Sequence, residues 1–197
     1  MDYSNNQVIL YTSQSQVVVD KMLESGRHVV ENTFIKEKYG EASHVFLQAY
    51  SWYRQHAATV VERPSDAESA IWTFLDLKYL DYSADSQIIK LHVPIEKVVF
   101  FRMSDWNKIL NLRLLGTEEE QAKYSEKLKK YQVAYEGDVY TTAFYPHLKT
   151  ELVRSWQKLF QYDQAIKETK TLPFEDIQGG IWELRNDWVE SFIEWKI

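Results

Sequence analysis

The chain has 197 residues, a net charge of −6, 45% hydrophobic and 15% aromatic residues, and no cysteine. That apolar content excludes a disordered chain, and the length, with no Pro-, Gly- or Ser-rich linker, is that of one compact domain spanning 1–197. The dispersed acidic charge argues against stable nucleic-acid binding, and the missing thiols exclude disulfides, thiolate metal sites and a cysteine nucleophile.

The start, MDYSNNQVIL, carries neither the basic residues nor the long apolar segment of a signal peptide. No run reaches membrane-spanning length, so a cytoplasmic protein away from membranes is expected. VILYTS (8–13) is a short β-rich run. QSQVVVDKMLESG follows as a helix stopped by Gly26, with Val18, Met22 and Leu23 on its inner face. From Glu41, EASHVFLQAYSWYRQHAA spaces Phe46, Ala49, Tyr50, Tyr53 and Ala57 by threes and fours, as an amphipathic helix does. AIWTFLDLKYL (70–80) reads as a strand from its apolar and aromatic content, with a helical alternative open for so short a run.

β-Branched and aromatic residues fill 87–93 and 97–102, predicting two strands joined by a turn at Pro94. Ser104 is expected to cap a helix through SDWNKILNLR, with Trp106, Ile109 and Leu110 facing inward. Thr117 and Glu120 have capping-box spacing ahead of a mostly polar helix. Its narrow stripe, Tyr124, Leu128, Tyr131 and Tyr135, assigns it to the outside of the molecule. HLKTELVRSWQKLF repeats the helical spacing at Leu148, Leu152, Trp156, Leu159 and Phe160, and should pack on the sheet.

The final stretch, IQGGIWELRNDWVESFIEWKI (177–197), admits two parses. As a helix it aligns Ile177, Ile181, Trp188 and Phe192; as strands, GIWEL and VESFIEW flank the turn-like pair Asn186 and Asp187. The strand parse is favoured, because its alternation, break and second alternation repeat the pattern of QIIKLHVPIEKVVFF. A helix would also have to begin beside Gly179 and Gly180, each costing about 1 kcal/mol relative to alanine. Gln178 then leads into a strand, with the glycines allowing close backbone approach beside it. The expected fold class is α+β: a mixed or mainly antiparallel sheet of about five or six strands, flanked by the helices near Glu41, Ser104 and His147.

Five segments, LYTSQ (10–14), AIWTF (70–74), SDWNKILN (104–111), SWQKLF (155–160) and IQGGIWEL (177–184), occur in an informative order. They resemble a bacterial family, domain of unknown function 3841, whose pattern runs Trp-Thr-Ile-Gln, Pro-Ile-Trp-Ala-Trp, Ser-Asp-Phe, Ser-Trp-Glu-x-Ile-Phe and Ile-Gln-Ala-Thr-x-Trp-Glu-Leu. Tyr11 and Ala70 stand where that pattern has Trp and Pro. The element order is more distantly similar to the ADP-ribosyltransferase-like fold. There the first strand presents His or Arg to the cofactor, the second presents Tyr or Ser, and a later strand presents Glu or Gln to the ribose under attack. Carried over by position, the resemblance implies Gln178 and Thr12 as catalytic candidates and Tyr11, Gln14, Trp72 and Thr73 as contacts to NAD. It implies no metal, and an unidentified acceptor or protein partner. The first strand here has no His or Arg. An amide at 178 can hydrogen-bond a ribose hydroxyl but cannot stabilise an oxocarbenium ion as a carboxylate would.

Structural roles compete with these. Trp72, Trp106, Trp156, Trp182 and Trp188 are expected mainly in the core, and Gln178 is divided between satisfying a buried backbone group and touching a ligand. The five histidines lack metal-ligand spacing, and the chain has no Gly-rich phosphate loop, Gly-x-Ser-x-Gly elbow or clustered carboxylates of the metal-dependent nuclease kind. The alternative to an NAD-dependent transferase is a non-catalytic protein-binding module with an aromatic-rich surface. The transferase requires Tyr11, Gln14, Trp72 and Gln178 to converge on one pocket; the binding module leaves them scattered or buried.

Overall fold

The computed structural model describes residues 6–31, 43–81, 83 and 85–193, so the expected helix start at Glu41 lies outside them. β1 (Gln7–Ser15) buries Val8, Leu10 and Thr12 on one face and runs directly into α1 (Gln16–Ser25). Gly26 closes that helix at φ +75°, a left-handed conformation that costs least without a Cβ. α1 buries Val19 and Met22 while Leu23 is exposed, so its inner stripe is rotated from the expected Val18, Met22 and Leu23. With no linker after β1, the strand's exit direction sets that rotation.

After β2 (Arg27–His28) comes α2 (Ser43–Ala57), whose inner face buries Ala49, Trp52, Tyr53 and Ala57. β3 (Ile71–Phe74) is shorter than the expected 70–80. The chain bends there, and the Asp76 carboxylate accepts from Lys78 N at 3.0 Å to start a 3-10 turn, Leu77–Tyr79. β4 (Ser86–Pro94) and β5 (Val99–Arg102) follow, joined by the 3-10 turn Ile95–Lys97.

α3 (Met103–Leu110) buries Trp106 and Ile109, but Ser104 lies inside it and does not cap it. The cap comes from elsewhere in the chain: the Asp176 carboxylate accepts from Ser104 N at 3.3 Å, and Asp176 O accepts from Met103 N at 2.8 Å. α4 (Glu118–Lys130) has the expected capping box, Thr117 N donating to Glu120 Oε2 at 2.7 Å and Glu120 N to Thr117 Oγ1 at 3.3 Å. It buries Tyr124 and Leu128, then ends before Tyr131 and Tyr135, which are exposed. α5 (Glu136–Thr141) and α6 (Pro146–Ser155) lead into a 3-10 segment, Trp156–Phe160, that packs on β5. α7 (Asp163–Thr169), β6 (Ile177–Ile181), β7 (Leu184–Arg185), a 3-10 turn at Asn186–Trp188 and β8 (Val189–Ile193) complete the described chain.

The large sheet has six strands in the order β5-β6-β3-β1-β4-β8, every pairing antiparallel, and β2 pairs with β7 in a second, small sheet. The α+β expectation with a mainly antiparallel sheet holds, and residues 177–181 form a strand, not a helix. The two strands around Pro94 do not pair with each other: β4 lies between β1 and β8, whereas β5 forms the opposite edge beside β6. Four inter-strand steps separate them, about 19 Å on a flat sheet. Residues 95–98 reach about 17 Å even when fully extended, and their 3-10 turn shortens that further. The sheet must therefore curl. It does so where β1 and β3 share a single register pair, Tyr11 with Phe74, leaving two three-stranded halves joined at one point.

Two clusters fill the molecule. One packs α2, α3, α4 and α6 onto one face of β5-β6-β3 through Tyr53, Trp106, Leu152, Trp156 and Trp182. The other lies between the halves, with Leu10, Leu91, Phe100, Ile177 and Ile181 against Val19 and Met22. Two buried indoles keep a polar partner, Trp156 Nε1 donating to Arg113 O at 2.8 Å and Trp182 Nε1 to Val61 O at 2.9 Å, whereas among the described residues Trp52 Nε1 has none.

β6 is buried on both faces, and its glycines permit this. A Cβ at Gly179 would lie 2.7 Å from Thr73 Oγ1 and from Val98 Cγ1, and one at Gly180 would collide with the Tyr53 hydroxyl. Gly180→Ala should therefore destabilise the fold by about 1–3 kcal/mol in urea denaturation, and adding Tyr53→Phe should recover part of the loss by removing the oxygen in its way.

Candidate functional site

The strands carrying the sequence candidates, β1, β3 and β6, are neighbours in the sheet. Register pairs Tyr11 with Phe74 and Phe74 with Gln178, and the row continues to Phe101 on β5 and Lys90 on β4. Residues directly opposite one another share a face. Tyr11, Phe74 and Gln178 thus form one row across the point where the halves join, and Trp72, two residues before Phe74, points the same way.

Thr12, Gln14 and Thr73 point to the other face. Thr12 Oγ1 donates to Trp72 O at 3.0 Å and accepts from Gln14 Nε2 at 2.8 Å. Thr73 Oγ1 donates to Gly179 O at 2.9 Å. These bonds tie β1 to β3 beside their single ladder pair, and β3 to β6. Of the six residues taken from the sequence, the structure brings together Tyr11, Trp72 and Gln178 and separates Thr12, Gln14 and Thr73 from them. The condition that Gln14 share one pocket with the other three is not met.

Gln178 is 3% exposed, and among the described residues its amide has no hydrogen-bond partner. It does not satisfy a buried backbone group, one of the two roles weighed for it. Trp72 is half-buried, its Nε1 donating to Tyr50 Oη at 3.2 Å, with ring centroids 5.0 Å from Tyr53 and 5.1 Å from Trp106. Trp106, Trp156, Trp182 and Trp188 are buried, as expected of core tryptophans.

Sequence reasoning missed Phe74, Lys90 and Tyr53. Phe74 and Lys90 join the row through strand register, which spacing along the chain does not carry. Tyr53 was legible as a core position of its helix, but not as the neighbour of Gly180. Lys90 Nζ donates to Glu190 Oε1 at 2.9 Å and His92 Nε2 pairs with Glu190 Oε2. The hydrogen bond from Lys90, then that from His92, holds the Glu190 carboxyl below its ordinary range.

Two residues before Gln178, Asp176 fixes the entry of β6. Its carboxylate accepts from Arg102 Nε at 2.9 Å as well as from Ser104 N, and Arg102 lies 4.1 Å over the Phe174 ring. Burial alone would raise the Asp176 carboxyl, but the hydrogen bonds from Ser104 and Arg102 outweigh it and hold the group below its ordinary value.

A family model described as Domain of unknown function (DUF3841) matches residues 9–190, from β1 into β8. The chain belongs to the DUF3841 family. It matches no curated protein and no solved structure. The DUF3841 match takes in the whole row from Tyr11 to Gln178. Among the described residues of this DUF3841 protein no group of three His, Asp or Glu side chains could hold a metal ion, and no helix is long and apolar enough to cross a membrane.

The Asp176 contacts make a prediction about pH. A carboxyl whose folded pKa is depressed adds stability above its unfolded value, about 4, and that contribution is lost as pH falls through the lower folded value. Asp176→Asn should cost about 1–2 kcal/mol at neutral pH through its weakened charge-assisted bonds. In melts from pH 7 downward, the gap between wild type and variant should close below about pH 4.

Proposed function

We propose that the protein binds NAD where the two halves of the sheet meet and transfers ADP-ribose from it to an acceptor. One observation carries the reading: a buried glutamine with no hydrogen-bond partner among the described residues stands in one row with Tyr11 and Phe74, on three adjacent strands. The resemblance to the ADP-ribosyltransferase-like fold calls for cofactor contacts on a first, a second and a later strand, and β1, β3 and β6 fill that order. Tyr11 and Phe74 offer ring faces for the nicotinamide, with Trp72 and its aromatic neighbours behind them. Gln178 hydrogen-bonds a ribose hydroxyl. The acceptor nucleophile forms a bond to the ribose carbon as the bond to nicotinamide breaks; the acceptor's proton goes to solvent and neutral nicotinamide leaves. Thr12, Gln14 and Thr73 hold the strands in register and are assigned no contact with the cofactor.

A second reading, a non-catalytic protein-binding module, is favoured by Tyr135 at 74% and Phe144 at 83% exposure on either side of α5. It predicts no response of the wild-type melt to NAD.

Under the transferase reading, NAD at 100 times its dissociation constant adds about 2.7 kcal/mol of stability, seen as a raised melting temperature. Gln178→Ala should slow nicotinamide release about a hundredfold, equivalent to about 3 kcal/mol in the transition state, with little change in the ligand-free melt. A wild-type melt unmoved by millimolar NAD, with no nicotinamide released, overturns the proposal.

A further inference from the structure

Tyr53 projects from α2 onto β6, its hydroxyl seated against Gly180. The residue is 1% exposed, and among the described residues its hydroxyl has no hydrogen-bond partner. Roughly 90% or more of buried polar groups are paired, and phenylalanine would make the same ring contacts with Trp72, Phe101 and Trp106 without burying an oxygen. Packing alone therefore does not explain the hydroxyl.

Gln178 lies two residues from Gly180 on the same face of β6, is buried as a residue, and among the described residues its amide makes no hydrogen bond. Positions two apart on a strand are about 6.6 Å apart, and a glutamine side chain spans about half that distance beyond its Cβ. Rotation about the Gln178 torsions therefore carries its amide to about 3 Å from the position a Gly180 Cβ would take, against which the Tyr53 hydroxyl sits. Burial, and after it the charge of Asp163, pushes the Tyr53 phenol well above its ordinary pKa. The group is consequently a proton donor across the working pH range.

We infer that Tyr53 is a positioning residue for Gln178: its hydroxyl donates to Gln178 Oε1, which fixes the direction of Nε2 and selects a ligand that presents a hydrogen-bond acceptor there. A ribose hydroxyl oxygen is such a group, and a ligand offering a donor at that point is rejected because it would face the amide N–H. The identity of the ligand rests on the NAD reading; the pairing of the two side chains does not.

The test uses the full chain as wild type, Tyr53→Phe, Gln178→Ala and the double variant, with NAD titrated by calorimetry and melting temperatures taken without ligand. The expected result is that Tyr53→Phe weakens NAD binding about tenfold, and that the double variant binds no more weakly than Gln178→Ala, because the hydroxyl acts through the amide. NAD affinity unchanged in Tyr53→Phe, with or without a shifted melt, overturns the inference, as do losses that simply add in the double variant. If wild type does not bind NAD, the transferase reading fails by itself and the ligand-free melts decide the pairing. A Tyr53→Phe effect that vanishes in the Gln178→Ala background supports it, and equal effects in both backgrounds overturn it.

Discussion

Two hydrophobic clusters close on β6 from opposite sides, and Gly179 and Gly180 make the strand thin enough for them to do so. On one side Thr73 and Val98 come against Gly179, and on the other Tyr53 comes against Gly180. The half-sheet β5-β6-β3 is thereby sealed between the helices and the second cluster. Gln178, beside the glycines, is buried as a residue, and among the described residues its amide makes no hydrogen bond.

The curl of the sheet follows from its connections. The links from β4 to β5 and from β6 to β8 each pass three strands in the order of the sheet. Both are built on 3-10 turns, at Ile95–Lys97 and Asn186–Trp188. The two strand–turn–strand units then pair with each other, β4 with β8 and β5 with β6. Such short links force the halves toward one another and concentrate the bend at Tyr11 and Phe74, where the row of candidate residues runs. The buried edge strand β5 is covered by carboxylates: Asp163 Oδ1 accepts from Phe100 N at 2.8 Å, and Asp176 accepts from the first turn of α3. Covering an edge in this way removes a template for pairing with another chain.

Charge has a smaller part in the architecture than apolar contact. The pairs of Lys123 with Glu119, Lys127 with Glu151 and Lys158 with Glu120 lie on the exposed helices α4 and α6 and the segment after them, where each contributes little. The pairs of Arg102 with Asp176 and Lys167 with Asp163 are more enclosed, the first joining the end of β5 to the residue before β6 and the second lying within α7. Electrostatics here locates ends of elements, while the clusters hold their bodies together.

Local pattern was enough to read the Gly26 stop, the Thr117 and Glu120 capping box, Ala49, Tyr53 and Ala57 on the inner face of α2 though not Trp52, and the strand nature of the glycine-containing segment, because each depends on neighbours within a few positions. Alternation along β1 also assigns Tyr11 and Thr12 to opposite faces, so the division of the candidate residues was already present in the order of the residues. What the chain could not reveal by itself was which residues of neighbouring strands share each face. That depends on β1, β3 and β6 lying side by side with Tyr11, Phe74 and Gln178 in register, and register is set by contacts between residues more than sixty positions apart. The cap on α3 escaped for the same reason: Ser104 has the right chemistry for a cap, but Asp176 reaches the helix end through the fold. Periodicity specifies which side of an element is apolar; the neighbours that fill that side, and hence the surroundings of Gln178 and Tyr53, exist only once the halves have closed.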